Sequence, residues 1–155
     1  MSSVWDKDLP PVRDLPPLVS RNDEGDTVIP FGKLVQINGA NLRREFEIQA
    51  AWSHYFGTQH SLSKVETERA ARALKQGEAE KYLQHKAASR ETKATVEEIK
   101  ASVETDPRVK KLYSDLLQCK KHEAMWEAAK WSWSDRGNML IQIGAEERAE
   151  KKAFG

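Results

Sequence analysis

The sequence predicts an all-α protein of antiparallel helices, with one long C-terminal helix, an oligomer-forming surface and a Pro-rich extended N-terminal arm. Apolar residues recur at helical spacing through most of the chain after residue 40, and helix-cap residues separate these stretches. Only 39% of the residues are hydrophobic, 32% are charged, and the mean hydropathy is -0.73. This balance is typical of long helices or of subunits that complete their core by assembly.

The first thirty residues contain five of the six prolines and no helical or strand period. Two "DLPP" copies favour polyproline II, because each proline fixes φ and biases the preceding residue away from the helix. We predict a Pro-rich arm or tail over residues 1–35 and a helical oligomerisation and nucleic-acid-binding domain over residues 36–155. The arm is either a flexible tail or an element that docks on another surface through Trp5, Leu9, Val12, Leu15 and Leu18.

Four helices are predicted, each from its periodicity and its cap residues. The first covers residues 41–57 and ends at Gly57, and the second runs from Ser63 to Ala88 after a cap at Ser61 or Ser63. Before them, "TVIPFGKLVQI" is a candidate for a short strand.

The third and fourth helices carry the clearest start signals. Thr95 and Glu98 have the spacing of a capping box, which starts a short third helix. Asp106 then caps the longest helix, with Pro107 at the first helical position, where its missing N–H costs nothing.

The last helix is apolar on two sides. Residues seven apart form one stripe, typical of a core-facing seam: Leu112, Cys119, Trp126, Trp133 and Leu140. Trp131 lies on the other side with Tyr113 and Leu117, a side that either the N-terminal tail or another subunit must cover, and we predict that these three residues form an oligomer interface. The alternative for Trp131 is stacking on nucleic-acid bases.

Motifs for catalysis or cofactor binding are absent from the sequence. The four histidines are scattered, the single Cys119 fits a packing role, and "FGKL" lacks the rest of a phosphate-binding loop. We therefore predict a protein that is not an enzyme and that needs no metal or other cofactor. No apolar run approaches the length of a membrane span, so we expect a cytoplasmic location.

The second predicted helix and its tail carry a local excess of basic residues. Residues 58–93 contain eight Lys and Arg against five Asp and Glu. If the helix continues through Lys93, six cations fall within about 80° of one another: Lys64, Arg72, Lys75, Lys86, Arg90 and Lys93. Arg69 and Lys81 point elsewhere. This basic stripe is either a solvated face or a track for a phosphodiester backbone.

Three stretches, in this order, resemble the phage recombination mediators of which UvsY is the best-known member: "WSHYFGTQHSLSKVETERAARALK", "SRETKATVEEIKASVETDPRV" and "RGNMLIQIGAEERAE". The likeness covers roughly residues 41–150. It implies a small helical ring oligomer that binds single-stranded DNA and acts in DNA recombination, repair and replication. Its implied partners are a RecA-like recombinase and single-strand-binding protein. The family's basic cluster would map onto Lys64, Arg69, Arg72 and Lys75, and also Lys81 and Lys86.

Residues and resemblance together predict a non-catalytic single-stranded DNA-binding recombination mediator that helps to load a RecA-like recombinase. It would act in the cytoplasm of the host cell if phage-encoded. The alternative is a phage structural or assembly subunit of the neck or scaffold type, with an extended docking arm. A third hypothesis is an inhibitor that binds a host protein.

Overall fold

A computed structural model describes residues 18–22, 25–90 and 93–154 of the chain. An antiparallel hairpin of β1 (Leu18–Asn22) and β2 (Gly25–Ile29) is followed by the helices α1 (Phe31–Leu34), α2 (Leu42–Ala88), α3 (Val96–Thr105) and α4 (Pro107–Phe154). A 3-10 turn, Gly39–Asn41, leads into α2. The described chain is predominantly helical and has the predicted long C-terminal helix.

The hairpin is a difference from the prediction, which gave the first thirty residues no strand period. Leu18 pairs with Ile29 at the open end of the hairpin, and β2 ends before Pro30. Pro30 has no N–H to donate to a strand ladder, so "TVIPFGKLVQI" divides into the end of β2 and the short helix α1. The arm residues predicted to dock, Trp5, Leu9, Val12 and Leu15, lie outside the described residues.

Helix α2 is a single element of 47 residues, so the predicted break after Gly57 is wrong. The serines that were expected to cap a new helix instead donate backwards within the helix. Ser61 Oγ donates to the Gly57 carbonyl at 3.0 Å, and Ser63 Oγ donates to the His60 carbonyl at 2.8 Å. Phe56 is fully buried beside this glycine, and its packing outweighs the roughly 1 kcal/mol that a glycine costs inside a helix.

The predicted starts of α3 and α4 are confirmed. The Thr95 N–H donates to Glu98 Oε2 at 2.7 Å, and the Glu98 N–H donates to Thr95 Oγ1 at 3.2 Å. At α4, the Arg108 N–H donates to Asp106 Oδ1 at 2.8 Å. Both caps satisfy backbone donors that would otherwise lack partners in the first turn.

The described chain forms two compact units. Unit 1 contains the described residues up to 55 together with those from 129 onwards. Unit 2 contains residues 56–128, apart from the two undescribed positions within that range. Each unit includes one segment of α2 and one segment of α4.

Unit 1 has a polar network at the centre of its core. Trp133 is 1% exposed and donates from Nε1 to the Gln49 carbonyl at 2.9 Å. Arg136, which is 3% exposed, donates to the Glu45 carboxylate, and its Nη1 donates to Gln49 Oε1 at 2.9 Å. The arginine also stacks on the Trp133 ring, with Cζ 4.6 Å from its centroid. A buried charge of this kind is tolerated only with such a set of partners.

Unit 2 is held by apolar contacts among α2, α3 and α4. Phe56 and Trp126 pack with their ring centroids 6.2 Å apart, and both are fully buried. Near the other end of the unit, four buried residues form a cluster: Leu74, Val103, Val109 and Leu116. α2 and α4 approach closely beside this cluster. Gly77 of α2 allows this approach, since an added Cβ there would lie only 2.5 Å from Leu112 Cδ1 of α4.

Three residues of the predicted heptad stripe are buried, and the other two, Leu112 and Cys119, are partly buried. Trp126, Trp133 and Leu140 from the heptad stripe are at most 1% exposed. The three residues predicted at an oligomer interface are well exposed in the single chain, with exposed fractions of 54% for Tyr113, 48% for Leu117 and 60% for Trp131. The oligomer interface itself stays a prediction.

Candidate nucleic-acid interface

Three lysines of α2 form the regular part of the basic stripe. Lys64, Lys75 and Lys86 are spaced eleven residues apart, which is about three helical turns and about 16 Å along the axis. At about 100° per residue they fall within about 40° of one another, so they lie on one side of α2. All three are exposed, and within the described part of the chain none forms an ion pair. Their charges are therefore available to an anionic ligand.

Arg72 flanks this row and is only weakly engaged. Its Nη2 lies 3.7 Å from Glu68 Oε2, one turn earlier, and 82% of the arginine side chain is exposed. An exposed pair of this kind is worth at most about 1 kcal/mol, so a phosphate can compete with the carboxylate for the guanidinium. Arg69 is exposed as well but lies about 140° from Lys64 around the helix, away from the row.

Lys81 is not a free surface cation. Its side chain is 22% exposed, and its Nζ lies 3.1 Å from Asp106 Oδ2, the carboxylate that caps α4. Because Lys81 follows Leu74 by seven residues, it lies on the core-facing side of α2, and that spacing is a signal the sequence already contained. The lysine links two helices, and its predicted DNA contact has less geometric support than those of the three exposed lysines.

Arg90 and Lys93 do not continue the stripe along a helix, because the condition on which they were added, a helix that continues through Lys93, is not met; their DNA contacts stay a prediction. α2 ends at Ala88, Arg90 lies in the following turn, and Lys93 has a left-handed backbone with φ 52°. The Ser89 hydroxyl donates to the His85 carbonyl at 2.6 Å and satisfies an acceptor at the helix end. The Thr95 cap then starts a new helix, so the chain changes direction before the predicted stripe is complete.

Asp106 is the centre of a polar cluster at the junction of α3 and α4. Besides Lys81, the imidazole of His85 approaches it, with Nε2 4.0 Å from Asp106 Oδ2. Burial raises the pKa of Asp106, but the hydrogen bonds from Lys81, Arg108 and Val109 and the lysine charge outweigh burial and hold it below the ordinary value. Asp106 therefore favours the folded state as a carboxylate.

The lowered pKa of Asp106 predicts that the folded protein loses stability in acid. Because the pKa of Asp106 is lower when folded than when unfolded, its stabilising effect is present above about pH 4 and lost as pH falls below that value. In urea titrations from pH 6 to pH 3, we expect Asp106→Asn to be less stable than wild type near neutrality and to lose less stability on acidification. Lys81→Met should likewise lose less stability between pH 6 and pH 3 than wild type, because it removes the cation that lowers the pKa of Asp106. An unchanged pH profile in both variants would contradict the assignment.

Cys119 has the packing role that the sequence predicts. Its side chain is partly buried on α4, and burial, followed by the charges of Glu66 and Asp115, raises the pKa of the thiol. A raised pKa lowers the fraction of nucleophilic thiolate at neutral pH.

Two searches for other kinds of site concern the described residues alone. Among them, His, Cys, Asp and Glu side chains form no group of three or more that could hold a metal ion. No helix in the same residues has an apolar stretch that is long enough to cross a lipid bilayer.

Comparison of the chain with protein-family models, curated proteins and solved structures found no match.

Proposed function

We propose that the protein is a non-catalytic recombination mediator that binds single-stranded DNA and helps to load a RecA-like recombinase onto strands covered by single-strand-binding protein. The observation that carries this proposal is the row of Lys64, Lys75 and Lys86, which are exposed, unpaired within the described chain and aligned along α2. Long cations in such a row pair with phosphates and release counterions without reading the base sequence. Arg72 lies beside the row and adds a fourth contact.

Self-association would turn this short row into a longer surface. Three lysines neutralise few phosphates, but a homo-oligomer repeats the row and multiplies its effective local concentration. The exposed apolar side chains of Tyr113, Leu117 and Trp131 share one side of α4, and assembly along that side would remove them from water. A ring is the arrangement that the family resemblance implies.

The mechanism that we propose is differential binding. A ring that holds the strand by its backbone in an extended form favours whichever protein binds extended DNA more tightly. The recombinase would thereby bind the strand in preference to single-strand-binding protein. The mediator itself would perform no chemical step and use no nucleotide.

Charge reversal in the row tests DNA binding directly. Lys64→Glu with Lys86→Glu should abolish binding of a labelled oligonucleotide, measured by fluorescence anisotropy at low salt. For wild type, log affinity should fall with log salt by about 0.7 per phosphate neutralised, and any residual binding of the variant should show a smaller slope. Binding should depend little on base sequence, because the contacts are to the backbone.

The matched control is Lys151→Glu with Lys152→Glu, which makes the same change of charge at the exposed end of α4. It should weaken binding much less. Equal losses in the two double variants would mean that only diffuse charge matters. Absence of binding by the wild-type protein would remove the mediator proposal and favour the phage structural or assembly subunit.

A further inference from the structure

An apolar groove lies between α2 and α3 in unit 2. It has a volume of about 550 Å³, and its apolar lining comes from Ala79, Tyr82, Leu83 and Val103. Leu83 is 66% exposed and lies beside these other apolar groups, so the groove is an apolar patch on the surface. The sequence prediction did not include this groove, because the contribution of α3 follows from tertiary packing.

Four charged side chains surround the apolar lining. Lys75 and Glu78 come from α2, and Lys100 and Glu104 come from α3. All four are exposed, and among the described residues none of them takes part in an ion pair. The rim of the groove thus presents two positive and two negative charges, none of them paired within the chain.

A second, smaller hollow extends this surface towards α4. It has a volume of about 260 Å³ and shares Glu78 and Glu104 with the groove. Tyr113, one of the residues predicted at an oligomer interface, also lines it. The groove therefore lies near Tyr113, one residue of the predicted interface.

We propose that this groove binds the same groove of a second copy of the chain, about a two-fold axis. In such an isologous contact one patch meets itself, so the patch must be complementary to its own charges. A rim with two lysines and two glutamates meets that condition, because each lysine can face a glutamate of the second copy. Closing the two apolar linings over each other removes Leu83 and its neighbours from water.

The proposal extends the self-association in the proposed function, but it does not depend on DNA binding. Its test is carried out without DNA, so the two can fail separately. Charge variants of the rim can also tell a second copy from a different partner. If the groove binds the same groove of a second copy, a variant with a basic rim should bind a variant with an acidic rim.

A charge-swap experiment uses this property. One variant carries Glu78→Lys and Glu104→Lys, which makes the rim wholly basic, and the other carries Lys75→Glu and Lys100→Glu, which makes it wholly acidic. By sedimentation velocity, we expect wild type to self-associate at micromolar concentration and each variant alone to associate at least tenfold more weakly. An equimolar mixture of the two variants should associate at least as tightly as wild type. Circular dichroism checks that both variants keep the wild-type helical signal.

A neutral-to-charged substitution in the apolar lining supplies an independent test. Leu83→Arg should weaken self-association at least tenfold, whereas Leu62→Arg, at a 54% exposed position of α2 that does not line the groove, should leave it unchanged. Several results would overturn the proposal: a monomeric wild type, charge variants that associate like wild type, a mixture that fails to restore association, or equal effects of the two arginine substitutions.

Discussion

Replacement of Arg136 by alanine is expected to lower the free energy of unfolding by about 3 to 5 kcal/mol. The guanidinium is buried in unit 1, where it pairs with Glu45 and donates to Gln49 Oε1 and, at 3.1 Å, to the Gln36 carbonyl. Its removal leaves the Glu45 carboxylate, which belongs to a residue only 8% exposed, without its counterion. Urea unfolding followed by circular dichroism at one fixed protein concentration measures the loss.

Two further variants isolate the cause. Arg43→Ala removes an arginine whose side chain is 92% exposed and whose pair with Glu47 is 3.5 Å long, so the loss should stay within about 0.5 kcal/mol. Arg136→Met combined with Glu45→Met replaces both buried charges by apolar groups and should recover most of the stability lost in Arg136→Ala. Equal losses for Arg43→Ala and Arg136→Ala would contradict the structural role of the buried pair.

The second large effect is expected for Trp133→Ala, which should also cost about 3 to 5 kcal/mol of stability. The indole is 1% exposed, packs 6.4 Å from Trp52 between ring centroids, and donates a hydrogen bond to the Gln49 carbonyl. The substitution therefore creates a cavity and removes a hydrogen bond between α4 and α2. Thermal and urea unfolding should both shift.

Trp131→Ala is the matched comparison, because it deletes the same side chain two residues away on the same helix. Trp131 is 60% exposed, so its loss should change the stability of the fold by no more than about 0.5 kcal/mol. It should instead weaken self-association, measured by sedimentation velocity. If both tryptophan variants lose the same stability, the assignment of one residue to the core and the other to an interface is wrong.

Local signals in the sequence were enough to locate the helix starts and the buried stripe. Thr95 with Glu98, and Asp106 before Pro107, act through backbone groups within one turn, so their effect does not depend on distant residues. The heptad spacing of Trp126, Trp133 and Leu140 likewise reports directly on which side of α4 is buried.

Features that depend on tertiary contacts were beyond sequence reasoning. Gly57 and Ser63 looked like a helix stop and a new cap, but burial of Phe56 keeps α2 continuous across them. The ion pair of Arg136 with Glu45 joins residues 91 positions apart, and no local period signals it.

The same distinction between local signals and tertiary contacts applies to the basic stripe. Angular positions on one helix were sufficient to align Lys64, Lys75 and Lys86, and the structure leaves all three exposed. Arg90 and Lys93 were included on the condition that the helix continues through Lys93, whereas it ends at Ala88. The ion pair of Lys81 was not predicted, because its partner, Asp106, lies on another element.

The division of the chain between the two units has a consequence for the order of folding. Unit 2 uses one uninterrupted stretch of chain, and the contact of Lys81 with Asp106 closes a loop of 25 residues. Unit 1 joins two distant stretches, and the contact of Gln49 with Trp133 spans 84 residues. The longer loop costs about 1 kcal/mol more in closure entropy if it forms first, but this cost falls once the intervening chain is already ordered. Chain entropy therefore favours an order of folding in which unit 2 forms first. Its formation shortens the effective loop between Gln49 and Trp133, which then meet in unit 1.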